Sequence, residues 1–214
     1  MNYLVTGTDT GVGKTFVTSG LIRCSRSKGI DAVGMKPICP GDNADVRILL
    51  EAGGFCEPEH IINPVWYRTP VAPYTASIIE DRVIDLDAIR EGFGQLTRRH
   101  SGVLVEGAGG IATPIFAHYD FRALARDLRL NVIIVAANRL GVLNHARLTV
   151  EAAFAAGLKT SLIILNSMNA DSDISGPTNL SVLETLVDVP VLAVEYNQRE
   201  FEQATSRLWS ITNG

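Results

Sequence analysis

Apolar residues fall along this chain in short unbroken runs, separated by segments of helical spacing. Tyr3-Leu-Val5, residues 32–35, Val103-Leu-Val105 and residues 132–137, 162–165 and 189–194 are runs of the first kind. A run that is apolar at successive rather than alternate positions belongs to a strand covered on both faces. Between the runs, residues 14–28 end at Gly29, 45–52 end at Gly53-Gly54 and 143–156 end at Gly157. Glycine readily takes the left-handed conformation that closes a helix. Ile89, Phe93 and Leu96 recur at i, i+4 and i+7 within 87–99, which predicts an amphipathic helix. Asp120 is placed to cap a helix over 121–128, and 199–209 predicts a last one. This alternation predicts an α/β fold, a mostly parallel sheet with helices on both faces. The proline-rich stretch 58–73 reads as a long surface connection, of a length that is often functional.

The length of 214 residues suits one such domain, 1–214. A net charge of −4 gives no basic surplus for nucleic acid or an anionic membrane, and no apolar stretch approaches the roughly 18 residues that cross a bilayer. Cys24, Cys39 and Cys56 include no CxxC pair, and Cys56 and His60 lack the second pair of a structural zinc site. With no basic segment before the first run, the expected location is the cytoplasm.

The strongest chemical signal is Val5-Thr-Gly-Thr-Asp-Thr-Gly-Val-Gly-Lys-Thr15, set where the first strand turns into the first helix. Its glycines let backbone N–H groups converge on phosphate oxygens, and the helix N-terminus adds favourable dipole charge. Lys14 is placed to reach the β- and γ-phosphates and Thr15 to ligate Mg²⁺. The fold class is therefore P-loop NTPase-like. The spacing is G-x5-G-K-T, because Thr8 stands where the common pattern puts its first glycine. The early positions Thr8, Asp9 and Thr10 also lack the lysine that partition and septum-site ATPases extend across a nucleotide-sandwich dimer.

Other residues extend the site. Lys36, in Gly34-Met-Lys-Pro37, follows the second run in a chain with four lysines and fifteen arginines. A compact ammonium there suits a transferring phosphoryl group or a small anion. Asp45 opens a helix, as a Mg²⁺ ligand or a first-turn acid, and Glu106 ends a strand ahead of Gly107-Ala-Gly-Gly110. With Thr15 they offer three oxygens to one Mg²⁺. Leu140-Gly-Val-Leu-Asn-His145 places a helix start after a strand, a second anion-binding geometry in which His145 reads as structural. Asn166 ends a later strand, where an exposed amide can pair with a base edge or simply occupy a turn.

In order, Thr6-Gly-Thr-Asp-Thr-Gly-Val-Gly-Lys-Thr15, Gly34-Met-Lys-Pro37, Asn43-Ala-Asp45, Val105-Glu-Gly-Ala-Gly-Gly110 and Leu140-Gly-Val-Leu-Asn-His-Ala146 resemble the dethiobiotin synthase family, the ATP-dependent ring-closing ligases of biotin synthesis. The resemblance implies a homodimer that makes dethiobiotin from 7,8-diaminopelargonate, CO2 and MgATP, through an N7-carbamate and a carbamic–phosphoric anhydride. It implies that Lys14 and Lys36 stabilise carbamate and phosphoryl charge and that Thr10 contacts the carbamate. Gly11, Val12, Gly13, Lys14, Thr15 and Phe16, with Gly107, Ala108 and Gly109, would surround the nucleotide. Thr15, Asp45 and Glu106 would hold Mg²⁺, and Asn166 would read adenine. Gly141, Val142, Leu143 and Asn144 would bind the distant carboxylate of substrate held by the partner subunit. The chain departs from the family pattern at Gly11, often Glu, at Pro40, where a serine is expected, at Ser167 and at Ala193-Val-Glu-Tyr196. The alternatives are a related P-loop amidoligase and a nucleotide-dependent regulatory switch.

Overall fold

The computed structural model describes residues 1–170 and 173–209. Along the chain, β1 (Asn2–Gly7) leads into α1 (Lys14–Ser27) and β2 (Ala32–Met35). The connection that follows carries β3 (Ile38–Pro40), α2 (Ala44–Ala52), α3 (Glu59–Ile62), β4 (Val65–Tyr67) and α4 (Pro73–Ile79). Next come α5 (Leu86–Arg99), β5 (Gly102–Gly110), the short strands β6 (Pro114–Phe116) and β7 (Tyr119–Asp120), and α6 (Phe121–Asp127). The described chain continues through β8 (Asn131–Ala137), α7 (Val142–Ala155), β9 (Thr160–Asn166), α8 (Gly176–Leu186), β10 (Val191–Val194) and α9 (Glu202–Trp209).

The six apolar runs form one sheet in the order β10-β9-β8-β1-β5-β2, and every neighbouring pair is parallel. Leu4, Val5, Val103, Val105, Ile133, Val135, Ile163 and Leu165 have no exposed surface, as strands covered on both faces require. From β1 the chain runs to the β2 edge, returns to β5 at one side of β1, and later takes β8 at the other. Strand order therefore reverses at β1, and ligands of open parallel sheets bind at the C-terminal ends beside such a reversal.

Beside β1, β5 is irregular in a way that serves this end of the sheet. Val5 pairs with Glu106 but Gly7 pairs with Gly110, so two residues of β1 face four of β5. The surplus forms a bulge immediately after Glu106, with Gly109 at φ 70°.

Most expected elements are present with ends moved by one to three residues. Asp120 caps α6 as its spacing predicts, accepting the N–H groups of Arg122 and Ala123. The last strand starts at Val191 rather than 189, because Pro190 has no N–H for the ladder. The last helix starts at Glu202 rather than 199, and Phe201 packs inward before it. The stretch 58–73 is not only a surface connection. It contains α3 and β4, and buries Ile61, Ile62, Val65 and Tyr67.

Helix α9 is docked through Trp209, whose Nε1–H donates to Ser25 Oγ at 2.7 Å and whose ring meets Tyr3 edge-on at 5.8 Å. A Cβ on Gly102 would lie 2.0 Å from that ring. Gly102→Ala is expected to displace the indole and to cost about 1–3 kcal/mol. Urea unfolding should show a lower midpoint at an unchanged slope; an unchanged midpoint would mean that the Trp209 contact contributes nothing.

Candidate active site

The phosphate loop leaves β1 at Gly7 and turns through Gly11 at φ 73° and Gly13 at φ 87° into α1. Gly13 is constrained twice, because a Cβ there would also lie 2.1 Å from Asn166 Nδ2. Val12 is buried and anchors the loop to the core, and Thr8 N–H donates to the Val135 carbonyl at 3.0 Å. Helix α1 has neither a side-chain cap nor an acid in its first turn, so its first N–H groups remain open to an anion. Lys14 curls back over the loop, its Nζ donating to the Asp9 carbonyl at 3.2 Å.

Lys36 follows β2 directly, and its backbone is held on both sides. Its N–H donates to the Ile62 carbonyl at 2.8 Å, and its own carbonyl accepts Asn63 Nδ2 at 2.7 Å. The ammonium donates to Glu106 Oε1 at 2.6 Å and to Asp45 Oδ2 at 2.7 Å. Thr15 Oγ1 lies 2.8 Å from both Asp45 Oδ1 and Glu106 Oε1. The Glu106 side chain has no exposed surface and that of Lys36 only 4%, whereas Asp45 is 42% exposed. Burial by itself would lower the Lys36 pKa, but the Glu106 and Asp45 carboxylates outweigh it and raise the value. Lys14 moves the other way, lowered by burial and then by the charge on Lys36. For Asp45, burial is overcome by the Lys36 ammonium, which holds its carboxyl below the usual range. Burial pushes the nearby Cys39 thiol up to about 11.

A cavity of about 570 Å³ opens over this cluster at the C-terminal ends of β1, β2 and β5. It brings together Thr10, Gly11, Gly13, Lys14, Thr15, Lys36, Asp45, Glu106, Ala108 and Gly109 from the predicted set. Gly107 is buried behind it against Phe121, and Phe16 lies outside it, edge-to-face on Phe201 at 5.8 Å. Asn166 is not the exposed amide that its strand-end position predicts. It is 3% exposed, its Nδ2 donates to the Val12 carbonyl at 3.0 Å, and its Oδ1 is buried without a partner among the described residues. Gly141 and Asn144 are exposed at the start of α7, Leu143 is half-buried, and Val142 is buried with its N–H donating to the Arg139 carbonyl at 3.1 Å. None of these four lines the cavity. The residues missed from sequence are Pro70, Val71, Ala72 and Pro73, which wall one side, together with Thr113 and Met168. The proline run was the available signal for the first group.

The donor set fits Mg²⁺. All its members are oxygens, two of them carboxylates, as a hard cation requires. The Thr15 hydroxyl has one proton to give to two carboxylate oxygens, and Glu106 Oε2 is buried with no partner among the described residues. A metal cation bound beside Lys36 would relieve both features. No group of three acidic, histidine or cysteine side chains suits a metal among the described residues, so phosphate and water would have to complete the shell.

A family model described as an AAA domain matches residues 1–202. A curated relative from Akkermansia muciniphila, named ATP-dependent dethiobiotin synthetase BioD, is 39% identical over 89% of this chain and 90% of its own. Another of that name, from an Anaeromyxobacter strain, is 44% identical over 82% of this chain and 80% of its own. Among solved structures, the septum site-determining protein MinD from Pyrococcus horikoshii, complexed with Mg-ADP, superposes with a TM-score of 0.55 at 16% identity. That match covers 96% of this chain and 85% of MinD, and shows a shared P-loop fold. By identity carried over most of both chains, and by the site assembled around its phosphate loop, this chain belongs to the ATP-dependent dethiobiotin synthetase family.

Proposed function

We propose that this chain is an ATP-dependent dethiobiotin synthetase that joins CO2 to 7,8-diaminopelargonate with MgATP, releasing dethiobiotin, ADP and phosphate. The observation that carries this reading is the cluster of Lys36, Glu106, Asp45 and Thr15 at the mouth of a phosphate loop. The N7 amine adds to CO2, forming a carbamate and releasing a proton. A carbamate oxygen attacks the γ-phosphorus and ADP leaves, giving the carbamic–phosphoric anhydride. The N8 amine attacks the carbonyl carbon, phosphate leaves and the cyclic urea closes.

A carbamate is already nucleophilic, so the chain must position groups and offset negative charge rather than supply a strong base. The first N–H groups of α1 and Lys14 hold the phosphates. Lys36 faces the carbamate and the transferring phosphoryl group, and Thr10 holds the carbamate. Thr15, Asp45 and Glu106 would hold Mg²⁺, which when bound neutralises phosphate charge. The Asn166 Oδ1, a buried acceptor without a partner among the described residues, suits the amino group of adenine. The uncapped start of α7 suits the substrate's distant carboxylate, presented by the partner in a homodimer. Exposed Leu140, Leu148 and Phe154 on and beside α7 support that interface. Residues 1–214 then act as one P-loop ligase domain. No described helix is long and apolar enough to cross a membrane, and the free cysteines suit a cytoplasmic setting.

Protein incubated with MgATP, 7,8-diaminopelargonate and bicarbonate should yield dethiobiotin by mass spectrometry. ADP release that ignores the diamine, with no cyclic urea, would sink the reading. Lys36→Gln should lower turnover at least about 100-fold. It also strands the buried Glu106 charge, at a cost of about 3–5 kcal/mol, so turnover must be read on protein shown to be folded. A folded variant with wild-type turnover would remove Lys36 from the reaction. The Asp45 pKa is lowered from its ordinary 3.8, so its contribution to stability is present above pH 3.8 and is lost as pH falls through the native value. Asp45→Asn should flatten the acid limb of stability against pH, measured by urea unfolding; an unaltered limb would contradict the Lys36 pairing.

A further inference from the structure

The glycine bulge after Glu106 is closed by a residue that belongs to none of the motifs. Thr113 donates its N–H to the Gly110 carbonyl at 3.0 Å, and its Oγ1 accepts the Gly110 N–H at 3.0 Å. These reciprocal bonds tie off the turn over 110–113. The hydroxyl also abuts Gly109, where a Cβ would lie 2.7 Å from Thr113 Oγ1 and 3.7 Å from Thr10 Oγ1. The two threonine hydroxyls therefore stand on the same side of one glycine Cα. Thr113 borders the reaction cavity and also a second cavity, of about 370 Å³, between this turn and α7.

Hydroxyls on the reaction cavity come from Thr10, Thr15 and Thr113. Thr15 is committed to the two carboxylates, and Pro40 brings no hydroxyl to the wall. The Thr113 oxygen is already fixed as an acceptor from Gly110, and among the described residues no acceptor takes its proton. The hydroxyl is thus oriented by the backbone with its donor capacity left for a ligand.

We propose that Thr113 is a second substrate contact, donating to a carbamate oxygen beside Thr10 across Gly109. This rests on the reaction proposed above. A carbamate is planar, and one hydroxyl leaves it free to rotate about that contact. Two hydroxyls on one side fix the plane, which sets the attacking oxygen toward the phosphate loop.

Thr113→Val keeps the shape and removes the hydroxyl, whereas Thr113→Ser keeps the hydroxyl. In steady-state assays of dethiobiotin formation, Thr113→Val should raise the KM for diaminopelargonate about tenfold and lower kcat about tenfold. The KM for ATP should stay at the wild-type value, and Thr113→Ser should restore both parameters to within about threefold. Thr113→Ala should give the same split if valine disturbs the turn. Wild-type parameters in the hydroxyl-free variants would overturn the proposal, as would parallel rises in both KM values with a lowered Tm. If the wild-type protein forms no cyclic urea, the reaction falls and this contact falls with it. An active wild type with unaffected variants overturns Thr113 alone.

Discussion

A carboxylate buried to zero exposure in the middle of a parallel sheet is tolerable only with a cation against it. Glu106 has that cation in Lys36, 2.6 Å away and itself nearly inaccessible. Removing either charge would strand the other, and such a pair costs several kcal/mol to break even where forming it brought little net stability. Much of the local architecture holds the two together. Asn63 and Ile62 grip the Lys36 backbone from the α3 connection, and β5 keeps register with β1 up to Glu106 before it bulges. Asp45, at the start of α2, completes the pair from the solvent side.

The pair also explains why the two lysines differ. Lys36 is raised because its carboxylate neighbours outweigh burial, while Lys14 is lowered by burial and by Lys36 itself. Lys36 keeps its proton throughout the neutral range and offers fixed positive charge. Among the described residues the Lys14 ammonium donates to the Asp9 carbonyl and ion-pairs with no carboxylate, and an arriving phosphate would supply a direct anionic partner. Two ammoniums a short distance apart thus favour anions of high charge at the loop, which a planar guanidinium fork would serve differently.

The sheet could be read from the chain because burial on both faces writes itself as consecutive apolar residues, as in Val132 to Ala136. The phosphate loop could be read because backbone approach to phosphate demands glycine at set positions, and Gly13 meets two such demands at once. The segment from α3 to α4 could not. The three-residue strand β4 is too short for a period, as is its partner β3 before α2, and Pro73 looks like loop punctuation although it sits at the first turn of α4. Helix α8 hides for the same reason behind Gly176-Pro177. Asn166 was placed correctly at a strand end but expected to be exposed. Its burial comes from Gly13 packing onto it from across the sheet, a contact 153 residues away that no local pattern encodes.

The raised Lys36 pKa limits what chemistry the site can do. A lysine that holds its proton this firmly does not serve as a general base at neutral pH, so in the proposed reaction it would not take the proton shed on carbamate formation. Glu106 is already engaged by the Lys36 ammonium at 2.6 Å. Asp45, held below the ordinary carboxyl range, is a poor acceptor. No described histidine lines the reaction cavity. In the proposed reaction these three groups leave the protons to Lys14, whose pKa is lowered, to solvent, and at ring closure to the departing phosphate. For that reaction, Lys36, Glu106 and Asp45 would fix charge and orientation rather than carry protons.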